Sequence, residues 1–188
     1  AIDSILAQTG VSGIEVIVVD DASSDDTPHA LETYRDRIVS CLLPVNTGGP
    51  AEPRNAGLRL ARGEFIAILD ADDVMLPGKL GEQCALLRQH PDIPLVFTNF
   101  RNFSAEGPAP QAFLADHPRF HAVDWEPLGE SWYRLPAERV FETLLVDNFV
   151  GTSGVVMRRS LVEEIGCFDV ELRCGEDLDY WIRISRRH

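Results

Sequence analysis

The feature that most constrains this chain is an apolar run, FIAIL at 65–69, followed at once by the acidic sequence DADD at 70–73. A continuous apolar run of this length is typical of a strand that is buried on both faces. Because like charges repel, three carboxylates at the end of such a strand need a compensating partner. A hard divalent cation with oxygen ligands is the usual one, often shared with a phosphate group. The plainer interpretation is a solvated acidic turn in which one Asp caps the next helix.

A second acidic cluster follows an earlier apolar strand, in EVIVV at 15–19 and DDASSDD at 20–26. Apolar strands and helices of about ten residues alternate from here to position 100, which is typical of βαβ units and of a mostly parallel sheet flanked by helices. Ligands of such Rossmann-like α/β sheets bind beyond the carboxyl ends of the strands. We therefore expect the acids at 20–21 and 70–72 to converge on one ligand-facing edge.

The same patterns place the individual elements. Predicted strands cover 15–19, 38–43, 65–69, 95–100 and 154–157, and predicted helices begin at Thr27 and cover 51–61, 77–90, 136–146 and 161–165. Thr27 followed by Pro28 predicts a helix start that is capped by the threonine hydroxyl.

The start of the chain and residues 101–136 are less regular. Ile2, Ile5 and Leu6 indicate the apolar face of a helix, but the strand that normally precedes such a helix is not in the sequence. We therefore expect a domain whose first strand is missing here. Residues 101–136 are rich in proline, glycine and scattered aromatic side chains without a clear period. We interpret them as an insertion or a long loop system, which is either functional or a surface elaboration with its own small apolar cluster.

Composition excludes some classes of function. The 188 residues support one domain with a substantial core, and the net charge of −13 argues against a general nucleic-acid binder, which needs a basic face. An anionic ligand would need local help from a metal ion, arginines or a helix N-terminus. No apolar stretch approaches the roughly 20 residues of a membrane span. The four cysteines show no CxxC spacing, so we expect reduced thiols without a metal role in a cytoplasmic protein.

One alternative class is a signalling switch. Acids after the strands at 15–19 and 65–69 are also typical of the phosphoacceptor receiver domains of response regulators, and LDADDVMLPG resembles their phosphorylation segment. A receiver, however, carries a lysine at the end of its fifth strand. Lys79 is the only lysine here and follows the acids within a predicted helix, which counts against this class.

Five segments, in order, resemble the family 2 glycosyltransferases of the GT-A fold and cover the chain except roughly 101–139. They are SILAQT, EVIVVDDASSDDT, NTGGPAEPRNAGLRLARGEFIAILDADD, GTSGVVMRRSLVEEIGCFD and GEDLDYWIRI. The sequence departs from the family in two respects. It lacks the first strand, which in the family helps to hold the nucleotide base, and it carries Pro50 and Pro53 in the glycine-rich loop segment, where they could shift the loop.

The resemblance implies transfer of a sugar from a nucleoside diphosphate donor, expected to be a UDP-sugar, to a hydroxyl of a glycan or lipid-linked acceptor. It places Asp21 against a pyrimidine N–H and Asp70 against ribose or sugar hydroxyls. It also places Asp72 on a Mg²⁺ or Mn²⁺ ion that stabilises the departing diphosphate. Arg54 is expected to help hold the donor, or else to form a surface ion pair with Glu52 or another acid.

On the acceptor side, the attacking hydroxyl must lose a proton to a nearby carboxylate. We expect Asp177 to be this general base, with Glu176 as the substitute, because a helix N-terminus favours the ionised form of a carboxylate. The plainer interpretation is that Asp177 caps the helix. With one base and no carboxylate nucleophile, the reaction would proceed with inversion at the anomeric carbon. Trp181 is expected in the core rather than stacked on an acceptor sugar.

Residues 101–136 would select the acceptor. Many relatives act near membranes, so the resemblance allows peripheral association with the inner face of a membrane. Two further classes stay open from the residues alone. One is a sugar-nucleotide nucleotidyltransferase, whose basic glycine-rich loop near the N-terminus is not seen here, and the other is a non-catalytic binding module with the same fold.

Overall fold

The computed structural model describes every residue from 1 to 188. Helices α1 to α8 are, in chain order, Ile2–Leu6, Thr27–Glu32, Ala51–Leu60, Lys79–Gln89, Pro118–His121, Ala137–Val146, Ser160–Ile165 and Glu176–Ser185. Strands β1 to β9 are Ile17–Asp20, Val39–Leu42, Phe65–Ala67, Leu95–Val96, Phe103–Ser104, Gly107–Pro108, Glu126–Pro127, Tyr133–Arg134 and Val156–Arg158. Short 3₁₀ helices cover Phe113–Asp116 and Thr152–Gly154. None of the helices combines the length and the apolar character that a membrane span requires.

The predicted βαβ unit is confirmed at the start of the domain. Strand β1 pairs with β2 in parallel, with Ile17 opposite Val39, and α2 connects the two strands. Farther along, β3 and β4 run in the same direction, but the antiparallel strand β9 lies between them and bonds to both. The α/β class is therefore confirmed, whereas the placement of β9 at the centre of the second sheet has no local signal in the sequence.

Strand β3 is shorter and less buried than predicted. It ends at Ala67, and the chain continues in an extended form to Asp70. Ile66 and Ile68 are buried, whereas Ala67 is exposed, so the prediction of burial on both faces is wrong. The reason is that β3 is an edge strand of its sheet, beside a groove of about 500 Å³ that residues of β1 and β3 both line. The first strand that the resemblance expects stays a prediction.

The start of α2 differs from the predicted cap. Thr27 is the first helical residue rather than the capping residue, and Pro28 follows it. The Asp25 carboxylate accepts a hydrogen bond from the Thr27 backbone N–H at 2.9 Å. A carboxylate two residues upstream therefore satisfies this free N–H in place of the threonine hydroxyl.

Residues 101–136 form short elements rather than one irregular loop. Two small antiparallel hairpins, β5–β6 and β7–β8, flank the 3₁₀ turn and α5. Phe113, Phe120 and Trp125 pack against the main apolar core, which the third and eighth helices share with β3 and β9. These aromatics therefore do not form a separate surface cluster, and the segment is part of the domain core.

Two glycines inside helices predict opposite effects of the same substitution. A methyl group added at Gly81 would lie 2.7 Å from the carbonyl oxygen of Thr9, whereas one added at Gly57 would lie 3.6 Å from the side chain of Val19. We expect Gly81→Ala to destabilise the domain by about 1–3 kcal/mol through overpacking against rigid backbone. We expect Gly57→Ala to be neutral or to stabilise it by up to about 1 kcal/mol, because alanine favours the helix. Urea unfolding of both variants measures the difference, and equal effects would contradict the close approach of α4 to the Thr9 loop.

Candidate active site

The acidic segment that follows β3 is held by a hydroxyl and a guanidinium. The Asp70 backbone N–H donates to Ser153 Oγ at 3.0 Å, and the Asp70 carboxylate accepts from Arg54 Nη2 at 3.0 and 3.2 Å. The N–H of Asp73 donates to the carbonyl of Asp70 at 3.1 Å, which closes a turn. The compensating charge for Asp70 in the protein itself is therefore an arginine. Helix α4 begins after Gly78 without a side-chain cap, so no Asp of this segment caps it.

Arg54 lies on α3 and binds a second carboxylate. Its Nη1 donates to Glu176 Oε1 at 2.6 Å, so one guanidinium joins the end of β3 to the start of α8. The Arg54 side chain is only 12% exposed and that of Glu176 only 7%. The surface pair with Glu52 does not form, since Glu52 binds Arg59 at 2.5 Å. Of the two sequence-based interpretations of Arg54, the ion pair with another acid is present, and a donor contact stays a prediction.

Asp177 lies beside Glu176 in the first turn of α8. Its Oδ2 accepts from the Thr152 hydroxyl at 3.3 Å, and its Oδ1 accepts from the Leu178 backbone N–H at 2.7 Å. The N-cap position belongs to Gly175, whose φ of 78° lies in the left-handed region. Asp177 is therefore not at the N-cap position, although its carboxylate satisfies one free N–H of the first turn, and it is half-buried. A half-buried carboxylate at a positive helix end suits a group that must be ionised before it accepts a proton.

The acidic cluster after β1 orders the loop that leads to α3. The Asp21 carboxylate accepts from the Thr47 backbone N–H and hydroxyl, each at 3.0 Å, and the Asn46 side chain donates to the Asp21 carbonyl at 3.0 Å. Asp20 is buried, and its Oδ1 accepts from the Ser23 N–H at 3.0 Å. Ala22, between them, has a φ of 57°. A non-glycine residue in this region signals a local constraint that often lies at functional sites.

The second oxygen of the buried Asp20 carboxylate has no hydrogen-bond partner. The Asp20 carboxylate and the loop that Asp21 orders therefore lie together at the carboxyl end of β1.

Asp72 is exposed in a turn, and no three His, Cys, Asp or Glu side chains lie close enough together to hold a metal ion alone. Mg²⁺ in nucleotide sites usually takes one or two carboxylates and completes its shell with phosphate oxygens and water. An exposed carboxylate at the end of β3 fits that sparse requirement. Residues of α1 support the segment that follows, since Ser4 Oγ accepts from the Met75 N–H at 3.1 Å and Gln8 bonds to Leu76 and Leu80.

The structure thus brings three of the predicted site residues into direct contact, Asp70, Arg54 and Glu176, with Asp177 adjoining them. Asp21 connects to this group through Thr47 and the loop before α3, and Asp72 follows Asp70 by two residues. Thr47, Thr152 and Ser153 were not singled out by the sequence analysis. The sequence indicated them only as members of the segments NTGG and GTSG. Nothing in the local sequence shows which carboxylate a given hydroxyl will contact.

Two further side chains lie as expected. Trp181 is 1% exposed and belongs to the main core, which confirms that it packs inside. Lys79 begins α4, and its amino group is buried without a hydrogen-bond partner. Burial lowers the pKa of Lys79 to about 8. This amine forms no ion pair with the acidic cluster, so the contact that characterises a receiver domain is missing. Pro50 is the N-cap residue of α3 and Pro53 lies in its first turn, where no backbone N–H is required.

The chain resembles known glycosyltransferases over part of its length. A stretch of 80 residues is 46% identical to the succinoglycan biosynthesis protein ExoO of Rhizobium meliloti (strain 1021), covering 43% of this chain and 23% of ExoO. Over 105 residues it is 32% identical to the UDP-Glc:alpha-D-GlcNAc-diphosphoundecaprenol beta-1,3-glucosyltransferase WfaP of Escherichia coli, covering 56% of this chain and 40% of WfaP. The chain thus spans less than half of either relative.

The structural comparison extends farther along the chain. The crystal structure of S. aureus TarS 1-349 in complex with UDP-GlcNAc matches with a TM-score of 0.68 at 26% identity, over 97% of this chain and 47% of that one. This match confirms the expected GT-A fold. The model of the glycosyl transferase family 2 matches residues 1–166. The chain therefore belongs to glycosyl transferase family 2.

Proposed function

We propose that this domain transfers a sugar from a UDP-sugar to an acceptor hydroxyl, with a divalent cation and with inversion at the anomeric carbon. The observation that carries the proposal is the Arg54 bridge between Asp70 and Glu176. Through it, the acids after β3 and the carboxylate-bearing start of α8 face one another. Donor chemistry needs the first group and acceptor deprotonation needs the second. That TarS crystallises with UDP and with UDP-GlcNAc supports a uridine nucleotide donor.

On the donor side, Asp21 accepts from the base and Asp70 from ribose or sugar hydroxyls. Each carboxylate already accepts hydrogen bonds from the protein, Asp21 from Thr47 and Asp70 from Arg54. An ionised carboxylate has about four lone-pair positions, so both retain acceptor capacity for a ligand. The contacts with Thr47 fix the orientation of the Asp21 carboxylate before the donor arrives, which reduces the entropy lost on binding.

Asp72 holds the Mg²⁺ or Mn²⁺ ion in this proposal. The ion, when bound, stabilises the negative charge that develops on the departing diphosphate. This help is needed because the chain carries a net charge of −13, and a diphosphate would otherwise approach a strongly acidic protein. Asp72 suits the role because it is exposed and adjoins Asp70 without competing for Arg54.

Asp177 accepts the proton of the attacking hydroxyl. The Thr152 hydroxyl orients its Oδ2, and Asp177 lies in the first turn of α8, at the positive end of the helix. Glu176 is less suited to this role because its carboxylate is buried and bound to Arg54. With a single base and no carboxylate placed as a nucleophile, direct displacement by the acceptor is the expected path. It forms the new glycosidic bond as the bond to the diphosphate breaks.

The acceptor in this proposal is a glycan or a lipid-linked saccharide that enters beside residues 101–136. WfaP is a glucosyltransferase that acts on a diphosphoundecaprenol-linked GlcNAc, which supports the lipid-linked class. Such an acceptor would bring the cytoplasmic enzyme to the inner face of a membrane.

A thermal-shift panel of UDP, GDP and dTDP, with and without Mn²⁺, tests the donor assignment. The matching nucleotide at about 100 times its Kd adds roughly 2.7 kcal/mol of stability. For a domain of this size that corresponds to a rise of roughly 5–10 °C in Tm. We expect UDP with Mn²⁺ to give the largest rise. No rise with any of the three nucleotides would overturn the proposal.

Asp72→Asn should remove the metal-dependent part of UDP binding while the fold is kept, because the amide is a weaker ligand for a hard cation. Titration of UDP with and without Mn²⁺, followed by calorimetry, measures this part directly. Asp36→Asn is the matched control, since Asp36 is an exposed acid with a weak pairing to Arg35 at 3.9 Å. A variant at Asp72 that keeps the full response to Mn²⁺ would remove the residue from the metal site.

Asp177→Asn should lower kcat by about 10²–10⁴-fold and leave UDP affinity almost unchanged, because only the proton acceptor is lost. Asp179→Asn, a substitution two residues away on the same helix, is the control. Asp179 binds Arg183 at 2.8 Å and should be dispensable for turnover. Donor hydrolysis in the presence of Mn²⁺ provides the rate, and an equal loss in both variants would indicate damage to α8 rather than loss of a base.

The stereochemistry of the product tests direct displacement. When water serves as acceptor, the released sugar should carry the anomeric configuration opposite to that of the donor. Proton NMR of the anomeric coupling, recorded before mutarotation, identifies it. Retained configuration would require a covalent intermediate or a front-face path and would contradict the single-base mechanism.

A further inference from the structure

We propose that Arg54 is a positioning residue that fixes the start of α8 relative to the end of β3, rather than a ligand of the donor diphosphate. This inference rests on the proposed function and departs from the donor-binding role that the resemblance gives to Arg54. If it is correct, the arginine controls where Asp177 stands with respect to the donor without touching either substrate.

The guanidinium is already engaged by the protein. Nη2 donates to the Asp70 carboxylate at 3.0 Å, and Nη1 donates to Glu176 at 2.6 Å. The third nitrogen, Nε, is buried and has no hydrogen-bond partner, so the two terminal nitrogens make all of the polar contacts. Arginine is suited to such a bridge because its planar fork presents several donors in a fixed geometry. Both terminal nitrogens therefore face carboxylates that belong to different parts of the fold.

The surroundings of Arg54 fix it from the other side. Its guanidinium carbon lies 5.7 Å from the centre of the Phe168 ring. The next residue on α3, Asn55, is buried and pairs with both backbone groups of Phe168, donating at 2.9 Å and accepting at 2.8 Å. Helix α3 thereby holds the segment that leads into α8 as well as the arginine, so the bridge has a rigid base.

Glu176 connects the Arg54 bridge to the proposed base, Asp177. Its side chain is 7% exposed and it directly precedes Asp177. Removing one partner from a buried ion pair leaves an uncompensated charge, which is strongly destabilising. Without the guanidinium, the carboxylate of Glu176 would move toward water and carry the first turn of α8 with it. A displacement of about 1 Å at a reacting group can reduce the rate by about 100-fold.

The experiment combines a double-mutant cycle with steady-state kinetics. The variants are Arg54→Met, Arg54→Lys, Glu176→Gln and the two double variants. Arg59→Met, which breaks the exposed pair with Glu52, is the control. Urea unfolding, Kd for UDP with Mn²⁺, and kcat and KM for donor hydrolysis are measured for each. If Arg54→Met does not fold, the cycle of Arg54→Lys with Glu176→Gln takes its place.

If Arg54 is a positioning residue, its loss should lower kcat much more than it weakens UDP binding. Arg54→Met should lower kcat by about 100-fold while Kd for UDP changes by about threefold at most. Arg54→Lys should recover part of the rate, since lysine keeps the charge but cannot bridge both acids. In the unfolding cycle, each variant lowers the folding equilibrium constant by some factor. The factor for the double variant Arg54→Met/Glu176→Gln should be at least ten times smaller than the product of the factors for the two single variants. Arg59→Met should resemble the unaltered chain in every measurement.

Two results would overturn the inference. A loss of UDP affinity of tenfold or more in Arg54→Met, with kcat preserved at saturating donor, would make Arg54 a donor ligand. Independent, additive effects in the unfolding cycle would show that the pair with Glu176 does not hold α8. If the unaltered chain neither binds a nucleoside diphosphate nor hydrolyses a donor, the proposed function fails. The unfolding cycle would still decide whether Arg54 and Glu176 are coupled.

Discussion

The ion pairs of Arg54 are the interaction on which the arrangement of the site depends. They join three parts of the chain that are distant in sequence: α3, the end of β3 and the start of α8. A buried ion pair contributes little net stability compared with an apolar contact, but loss of one partner costs about 3–5 kcal/mol. Such a pair therefore acts mainly as a constraint on geometry. Here it fixes the relation between the two carboxylate groups that the proposed reaction needs.

The carboxylates of the site lie at different depths in the protein, and the partner of each one differs with its depth. Glu176 is buried and bound to a guanidinium, Asp21 and Asp177 are half-buried and accept from Thr47 and Thr152, and Asp72 is exposed. For these four carboxylates the partner matches the degree of burial, since desolvating an ionised carboxylate must be offset by charge or by hydrogen bonds. Asp20 departs from this pattern, because it is buried with one oxygen unpartnered. The least engaged carboxylate is thus the one at the surface, where a cation and a diphosphate can reach it. This order lets a chain with a net charge of −13 assemble an acidic site.

The sequence was sufficient for the α/β class and for most helix and strand positions, because these depend on local periodicity. It was insufficient where partners are remote. Nothing near Arg54 distinguishes Glu52, two residues before it, from Glu176, which lies on another helix. The prediction that Ala67 is buried was wrong for a similar reason. The position of β3 at a sheet edge depends on how the sheets assemble and not on the local sequence. Residues 101–136 lack a period, so neither their hairpins nor the packing of Phe120 into the core could be inferred.

The segment Gly151–Gly154 shows why the two halves of the site cannot shift independently. Thr152 binds Asp177, and the next residue, Ser153, binds the backbone of Asp70. A methyl group at Gly151 would lie 2.5 Å from the Phe100 ring, and one at Gly154 would lie 2.8 Å from the Thr98 carbonyl oxygen. The segment therefore packs closely against the chain that follows β4, and a side chain at Gly151 or Gly154 would clash with that chain. Because β9 begins two residues after this segment and lies between β3 and β4, the central antiparallel strand fixes the positions of both hydroxyls. Arg54 joins the same two segments through the carboxylates of Asp70 and Glu176, so the end of β3 and the start of α8 are tied to each other through two independent routes.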